Sequence, residues 1–547
     1  MRDNIERQDK HPNLQLVYVY IEDSYSGVGG IELQLCNGTK FRFVRSERDG
    51  FLMKYYFIKK DATYMACADD FFDPHMHLKR IDVLVGENGT GKTTILNTIS
   101  GMGPIGSWIE LFYSYENQEY YFYSNKNVYI PIEKEETISA EVYIDNCKLK
   151  EIDLNYRKVF LHANEYQPEF LWNTVEQQFA NMMQSDYKSV GRFLFQQKKK
   201  KQKFGPSYGF AFEIGLLAKE SDIPKVIQLK QKIIQCLNNH AEREAIYILE
   251  ELLKYSVEVL VLITAGNNLV SEEELKKQIK ILKRDLESMI QCLHKMADKN
   301  GMSITTHMQH DTSYLVQKVS AEREVSKVNV EIEIGIEGEN MEALMMNFLG
   351  IMDRMKVNSK IHQFQLIPFQ CGFRAMSSGE LAYLKLYSEI YFVLERYAKK
   401  PGILLLLFDE PETYMHPEWS RKMISNIVSL ITDLYSEHCE WIANVQLLIT
   451  THTPYLLSDL LPCFITCLKK QNKKIYIRNG KRSFAANLYD ILNSNFFVSN
   501  PIGEFAISKL NEIMDLKDGE DVTGYKELIE NIGDEYLRKE LERILGY

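Results

Sequence analysis

Hydrophobic and polar positions change period several times along this 547-residue chain. Leu14 to Tyr20, Gly30 to Leu35 and Lys40 to Val44 alternate apolar with polar, the two-residue period of half-buried strands, with a Gly27-Val28-Gly29-Gly30 turn between the first two. Other runs are apolar without alternation: Ile81 to Val85, Gly402 to Phe408 and Val445 to Ile449 read as strands covered on both faces, the mark of a parallel sheet. Lys158 to Leu161 adds a strand ending at His162. Leu111 to Ile132, rich in tyrosine and phenylalanine, reads as further strands whose rings go to core rather than to base stacking. The helical period dominates from Phe193 to about Ala321, over Ile223 to Leu237, Ala241 to Ala265 and Ser271 to Lys299. The last opens with Ser271-Glu272-Glu273-Glu274, a capping box, and sets Leu275, Ile279, Leu282, Leu286, Ile290 and Leu293 on one face. Lys327 to Ile336 returns to strand alternation, and Leu381 to Tyr397 and the tail after 505 are helical. The class is α/β.

The buried strands deliver chemistry at their carboxyl ends. Ile81 to Val85 runs into Gly86-Glu87-Asn88-Gly89-Thr90-Gly91-Lys92-Thr93, and Thr94 continues into a helix. Strand, glycine loop and helix in that order make a phosphate-binding loop, which takes ATP or GTP. Gly86, Gly89 and Gly91 let backbone N–H groups close round a polyphosphate. Lys92 reaches its outer phosphates, and the Thr93 hydroxyl is a ligand for Mg²⁺. Far downstream, the apolar run from Gly402 ends in Asp409-Glu410. Asp409 is expected to hold Mg²⁺, and Glu410 to polarise the attacking water. Arg374-Ala375-Met376-Ser377-Ser378-Gly379-Glu380 places two hydroxyls and a glycine at a helix start, a second anion site. Val445 to Thr451 ends on His452, expected to face the γ-phosphate as the fourth member of the set.

The order of phosphate loop, Ser-Ser-Gly-Glu signature, strand with Asp-Glu and strand with histidine resembles the head of ABC-type ATPases over about residues 10–115 and 325–505. Asp409-Glu410-Pro411-Glu412 followed by His416-Pro417 resembles the SMC-like branch rather than transporter subunits. The resemblance implies ATP as nucleotide and a head of two lobes with an antiparallel β-layer on the adenine side. It also implies an inserted helical domain, since Ser377 lies 285 residues beyond Lys92 (377 − 92). The expected division is an N-terminal lobe at 1–192, a helical insertion at 193–321, a C-terminal lobe at 322–505 and a helical tail at 506–547. The insertion is too short for the coiled-coil arm of a chromosome-organising SMC protein. By the same resemblance Gln167 is a metal-site glutamine coupling to the lobe. Ser377, Ser378, Gly379 and Glu380 would close the γ-phosphate of a second copy, giving a homodimer with two composite ATP sites, or a higher assembly.

Ser483 to Leu492, Phe496-Phe497 and Pro501 to Ala506 resemble the segment after the head in bacterial antiphage ATPases of the Septu and retron-associated PtuA type. That family pairs the head with an HNH nuclease and, in the retron form, with a reverse transcriptase and its RNA–DNA hybrid (msDNA). No His-Asn-His constellation is read in the sequence, and against OLD-family proteins the tail to Tyr547 is expected to be too short for their acid-rich nuclease domain, so that any nuclease is expected on a separate chain. The expected function is therefore a regulatory ATPase of an antiviral complex. The alternatives are a DNA-repair ATPase and a nucleotide-gated scaffold with negligible hydrolysis.

Composition narrows this further. Hydrophobic residues make up 45% and aromatics 12%, enough for several cores. The polar start from Met1 to Pro12 indicates no signal peptide, and Tyr255 to Ala265 is apolar but too short to span a bilayer. Nine cysteines without a Cys-x-x-Cys pair fit a reducing cytoplasm better than disulfides or zinc, and Cys463 and Cys467 read as apolar positions near a strand. A net charge of −10 argues against a globally basic nucleic-acid binder but not against a local patch. The candidates are the loop Gln196 to Lys203 and a hairpin with Lys469, Lys470, Lys473, Lys474, Lys481 and Arg482. Both could equally be solvated polar turns.

Overall fold

The computed structural model describes the chain apart from residues 1–12, 24–28, 47–53, 62–64, 66–67, 69–70, 73–76, 101–106, 125–141, 144–148, 152–156, 163–190, 195–208, 265–271, 298–303, 306–316, 321–322, 336–341, 359–368, 374–377, 400–401, 439, 441, 473, 516–522 and 545–547. At its centre is a six-stranded sheet in the order Arg157–His162, Ile403–Asp409, Asn444–Thr450, Leu78–Gly86, Ile465–Gln471 and Lys474–Asn479. The first five strands run parallel, and the last closes an antiparallel hairpin. The unbroken apolar runs follow from this position, because both faces of the sheet are covered and alternate residues serve opposite faces. Leu404, Leu406, Leu447 and Ile449 pack with Leu384, Ile390, Met423 and Ile427 of helices Ser378–Tyr397 and Pro417–Glu437. Their neighbours Leu405, Leu407 and Leu448 join Ile95, Leu96 and Ile99 of helix Lys92–Ser100 on the other side.

That second core is closed by a five-stranded sheet in the order Ile31–Gln34, Gln15–Asp23, Ser107–Ser114, Glu119–Ser124, Leu149–Glu151, the antiparallel layer expected near the N-terminus. Its one parallel pair is the last. A buried polar tie joins the two sheets. The Gln446 amide accepts the N–H of Leu16 at 3.0 Å, donates to the Leu16 carbonyl at 3.1 Å, and lies 3.3 Å from Asp82 Oδ2. Asp82 in turn takes both its oxygens to Arg80 Nε, at 2.7 and 2.8 Å.

The region expected as a helical insertion carries helices Ile223–Asn238, Glu242–Thr264 and Glu272–Ala297, close to the sequence pattern. They build a separate core from Ile233, Leu249, Leu253, Met289 and Leu293. Two features bear on the expected division at 193–321. Strand Gly209–Lys219 pairs antiparallel with Arg323–Gly335 along its whole length and with Phe369–Phe373, so the insertion is not purely helical and a sheet crosses its boundary. Alternation of Phe210, Phe212 and Ile214 carries that strand, but the apolar Leu216-Leu217-Ala218 blurs the period. Helix Glu342–Asn358, assigned by sequence to the C-terminal lobe, gives Phe348, Leu349 and Met352 to the insertion core.

Helices Glu504–Met514, Thr523–Glu530 and Glu535–Ile544 form the tail around Ile513, Ile529 and Leu541. Among the described residues no helix is long and apolar enough to cross a membrane.

Candidate active site at the carboxyl ends of the central strands

Three adjacent parallel strands end side by side, and each delivers one motif. In register, Asp409 sits opposite Thr450 and Thr450 opposite Leu84, so the loops after Gly86, Asp409 and Thr450 leave the same edge of the sheet. In the first loop Gly89 and Gly91 hold φ of +76° and +85°, where glycine carries no Cβ penalty. Gly86, expected to serve the phosphate cradle in the same way, is required for another reason. A Cβ there would stand 2.3 Å from the Leu468 carbonyl oxygen of the neighbouring strand. Thr90 closes the loop, donating its N–H and hydroxyl to the Glu87 carbonyl at 3.3 and 2.8 Å. Glu87, Asn88 and Gly89 are exposed at its crest, and Thr94 lies in the first turn of the helix that follows.

Lys92 is buried, and its ammonium donates to the Gly86 and Glu87 carbonyls at 2.9 and 3.3 Å. Burial pushes its pKa down, while the Glu410 and Asp409 carboxylates pull it back up. One cation and two carboxylates from distant parts of the chain thus share one field. Asp409, 1% exposed, accepts hydrogen bonds at Oδ1 from the Thr93 hydroxyl at 3.2 Å and the Thr450 hydroxyl at 2.5 Å. A hydroxyl and a carboxylate converging at the base of a phosphate loop are hard oxygen donors, a set that fits Mg²⁺.

Glu410 has a φ of +49°, uncommon for a residue with a Cβ. Its N–H is held by both the carbonyl and the hydroxyl of Thr450, each at 3.1 Å. Its Oε1 lies 3.1 Å from His452 Nε2. The His452 hydrogen bond lowers the Glu410 pKa despite partial burial, so the carboxylate stays charged. The two residues assigned to catalysis from sequence meet directly.

The family model described as an AAA ATPase domain matches residues 71–457. The chain belongs to this family. It is a P-loop enzyme that hydrolyses ATP. A structure of the recombination mediator protein RecF with ATP, in the RecFOR pathway, superposes with a TM-score of 0.24 at 9% identity, covering 86% of this chain and 100% of that one. So low a superposition carries no argument about either molecule.

The candidate site also contains a residue that the sequence did not single out. Glu412 is 7% exposed and its Oε1 accepts from the Thr451 hydroxyl and, at 3.2 Å, from the His452 N–H. It clamps the loop of Glu410 to the loop of His452, and burial pushes its pKa up. The second glutamate of Asp-Glu-Pro-Glu was the available signal, hidden because a carboxylate after proline reads as a solvated turn. Glu412→Gln keeps the acceptor oxygen and should hold turnover within about threefold of the parent. Glu412→Ala strands two donors, a cost of about 1–3 kcal/mol, and should lower kcat about tenfold with ATP affinity retained. Steady-state ATPase assays of the two variants check this; equal rates for both would remove Glu412 from the site.

The remaining candidates are only partly placed. Ser377 and Gln167 lie outside the described residues, and Ser378 is described only as the start of helix Ser378–Tyr397. Glu380 lies in the first turn of that helix. Gly379 is buried, and a Cβ there would stand 2.8 Å from the Tyr414 carbonyl oxygen and 3.2 Å from the Trp419 ring. The glycine therefore seats the signature helix on the segment that follows Glu410. His416 caps helix Pro417–Glu437, its ring accepting the Glu418 N–H at 3.2 Å, with Pro417 in the first turn.

Proposed function

We propose that this ATPase is the regulatory subunit of a bacterial antiviral complex, acting through a separate HNH-type nuclease and, in a retron setting, with a reverse transcriptase and its RNA–DNA hybrid. The observation that carries the reading is the pairing of the Thr93–Asp409 and Glu410–His452 contacts at one sheet edge with an inserted module that has its own core. Such a module is a body that nucleotide state can displace. The kinship with PtuA-type ATPases rests on the segment from Ser483 to Ala506.

In this proposal Thr93 and Asp409 hold Mg²⁺, which when bound neutralises charge on the outer phosphates. Lys92 counters the same charge, Glu410 orients the attacking water, and His452 fixes the Glu410 carboxylate. Ser377, Ser378, Gly379 and Glu380 cap the γ-phosphate held by a second copy, so that ATP joins two chains head to tail. Only an effector that prefers the joined state can be controlled in this way. The complex works in the cytoplasm.

The direct test is sedimentation of the Glu410→Gln chain at micromolar concentration with and without ATP and Mg²⁺. A dimer or larger species that needs ATP is expected, and Ser378→Arg should abolish it. A strictly monomeric species with ATP bound would sink the composite-site reading. For the partner, the parent chain with a co-expressed HNH protein should copurify, and its nuclease output should follow the ATP state.

A further inference from the structure

We propose that the hairpin at the edge of the central sheet is a docking face for single-stranded nucleic acid. In this chain of net charge −10, the thirty residues 460–489 hold seven cations (Lys469, Lys470, Lys473, Lys474, Arg478, Lys481 and Arg482) and no Asp or Glu. Charge segregation that sharp over a folded hairpin is the electrostatic footprint of a polyanion.

The hairpin has two unlike faces. Ile475 and Ile477 of strand Lys474–Asn479 pack against the core between the sheets. The alternate residues, Lys474, Tyr476 and Arg478, belong to the other face, and across the ladder Lys469 pairs with Tyr476 and Cys467 with Arg478. Phe497 lies under this face, with the Lys469 ammonium 5.0 Å and the Arg478 guanidinium 4.7 Å from its ring centroid. Arg478 is spent on the protein, donating to the Asn479 and Ser494 carbonyls. Tyr476 is different: the residue is 52% exposed, on the same face as Lys474 and paired with Lys469. Among the described residues none of Lys469, Lys470, Lys474, Lys481 or Arg482 is within ion-pair distance of a carboxylate.

The adjoining loop is held in place rather than left to solvent. The fully buried Asn495 amide accepts the Lys481 N–H at 2.8 Å and donates to the Lys481 carbonyl at 2.9 Å. Gly480 bonds to the Ile465 carbonyl at 2.7 Å. Arg482 is kept at a φ of +34°. Lys481 and Arg482 are therefore displayed from a rigid backbone, both exposed. Cations on a fixed scaffold would suit any polyanion. A bare tyrosine on the same hairpin, paired with Lys469, favours one whose bases can stack, since stacking on an aromatic ring is available to every unpaired base. The reading is independent of any nuclease partner.

The test is fluorescence anisotropy of the full chain with a labelled 20-nucleotide single strand, as DNA and as RNA, across a salt series. The triple variant Lys474→Glu/Lys481→Glu/Arg482→Glu should lose at least about tenfold in affinity, and the slope of log K against log salt should flatten by about two. Tyr476→Ala should lose about fivefold or more with the slope unchanged. ATP hydrolysis stays at the parental level in both, which shows that they are folded. A difference between the DNA and RNA arms assigns the strand's chemistry. Parental affinity in the triple variant, unaltered binding by Tyr476→Ala, or equal binding of poly-glutamate would each overturn the proposal.

Discussion

Glu410→Gln is expected to bind ATP as the parent does and to lose turnover by a factor on the order of 10²–10⁴, the usual contribution of a positioned general base. The amide fills the same space and can still meet His452, yet it lacks the charge that the 3.1 Å contact keeps on Glu410. Lys92→Ala should differ in kind. Its ammonium lies inside the loop on the Gly86 and Glu87 carbonyls, so its loss weakens nucleotide binding itself. Equilibrium ATP binding and single-turnover hydrolysis separate the two. Because Glu410 has a lowered pKa, the carboxylate survives mild acid, and its protonation should contribute no loss of turnover until the pH falls below the ordinary glutamate range. Parental hydrolysis by Glu410→Gln would take the water-orienting role away from this residue.

The largest stability effect is expected beneath the site, at the tie between sheets. Arg80 and Asp82 have side chains only 4% and 3% exposed. The guanidinium also donates to the Cys463 carbonyl at 2.7 Å and lies 4.7 Å from the Phe464 ring centroid. Burial raises the Asp82 pKa and Arg80 holds it down against that pressure. Arg80→Met leaves a carboxylate buried without its cation and should destabilise the fold by about 3–5 kcal/mol. The sign of its pH dependence follows. A raised carboxylate pKa is a contribution present below the unfolded value and lost as pH rises through the folded value, and Arg80→Met raises that value further. The deficit should therefore be larger at pH 8 than at pH 5.5, read as the shift in denaturant midpoint. Adding Asp82→Leu should recover much of it, because no charge is then left buried.

The candidate site was legible because each motif is local. Gly86 to Thr93 lies between an apolar run and a helix, and Asp409-Glu410 and His452 each end an apolar run, so strand-end chemistry could be read one segment at a time. The contacts that hold the candidate residues together span long separations and left no local trace. Thr450 touches both Asp409 and Glu410, and Glu412 reaches Thr451 and His452, across about forty residues in each case. Threonine at a strand end and glutamate after proline are ordinary residues until the sheet register brings them together. One strand beside the insertion left no trace in the sequence for a related reason. A strand such as Gly209–Lys219 has little local signal once its alternation is diluted by apolar neighbours, and its partners lie over a hundred residues away.

What the sequence alone determined was the set of parts: buried parallel strands, a phosphate loop, carboxylates and a histidine at strand ends, and amphipathic helices between the lobes. Periodicity and loop chemistry act over a few residues, within reach of a linear reading. Which of these parts touch was decided only by the tertiary fold. The order Arg157–His162, Ile403–Asp409, Asn444–Thr450, Leu78–Gly86 sets Asp409 beside Thr450 and within reach of Thr93. It also gives Gly86 a role that no glycine motif predicts, since the backbone of Leu468 occupies the space a side chain would need. Strand pairing joins residues by hydrogen-bond register rather than by distance along the chain, so this level of the site exists only once the sheet has formed.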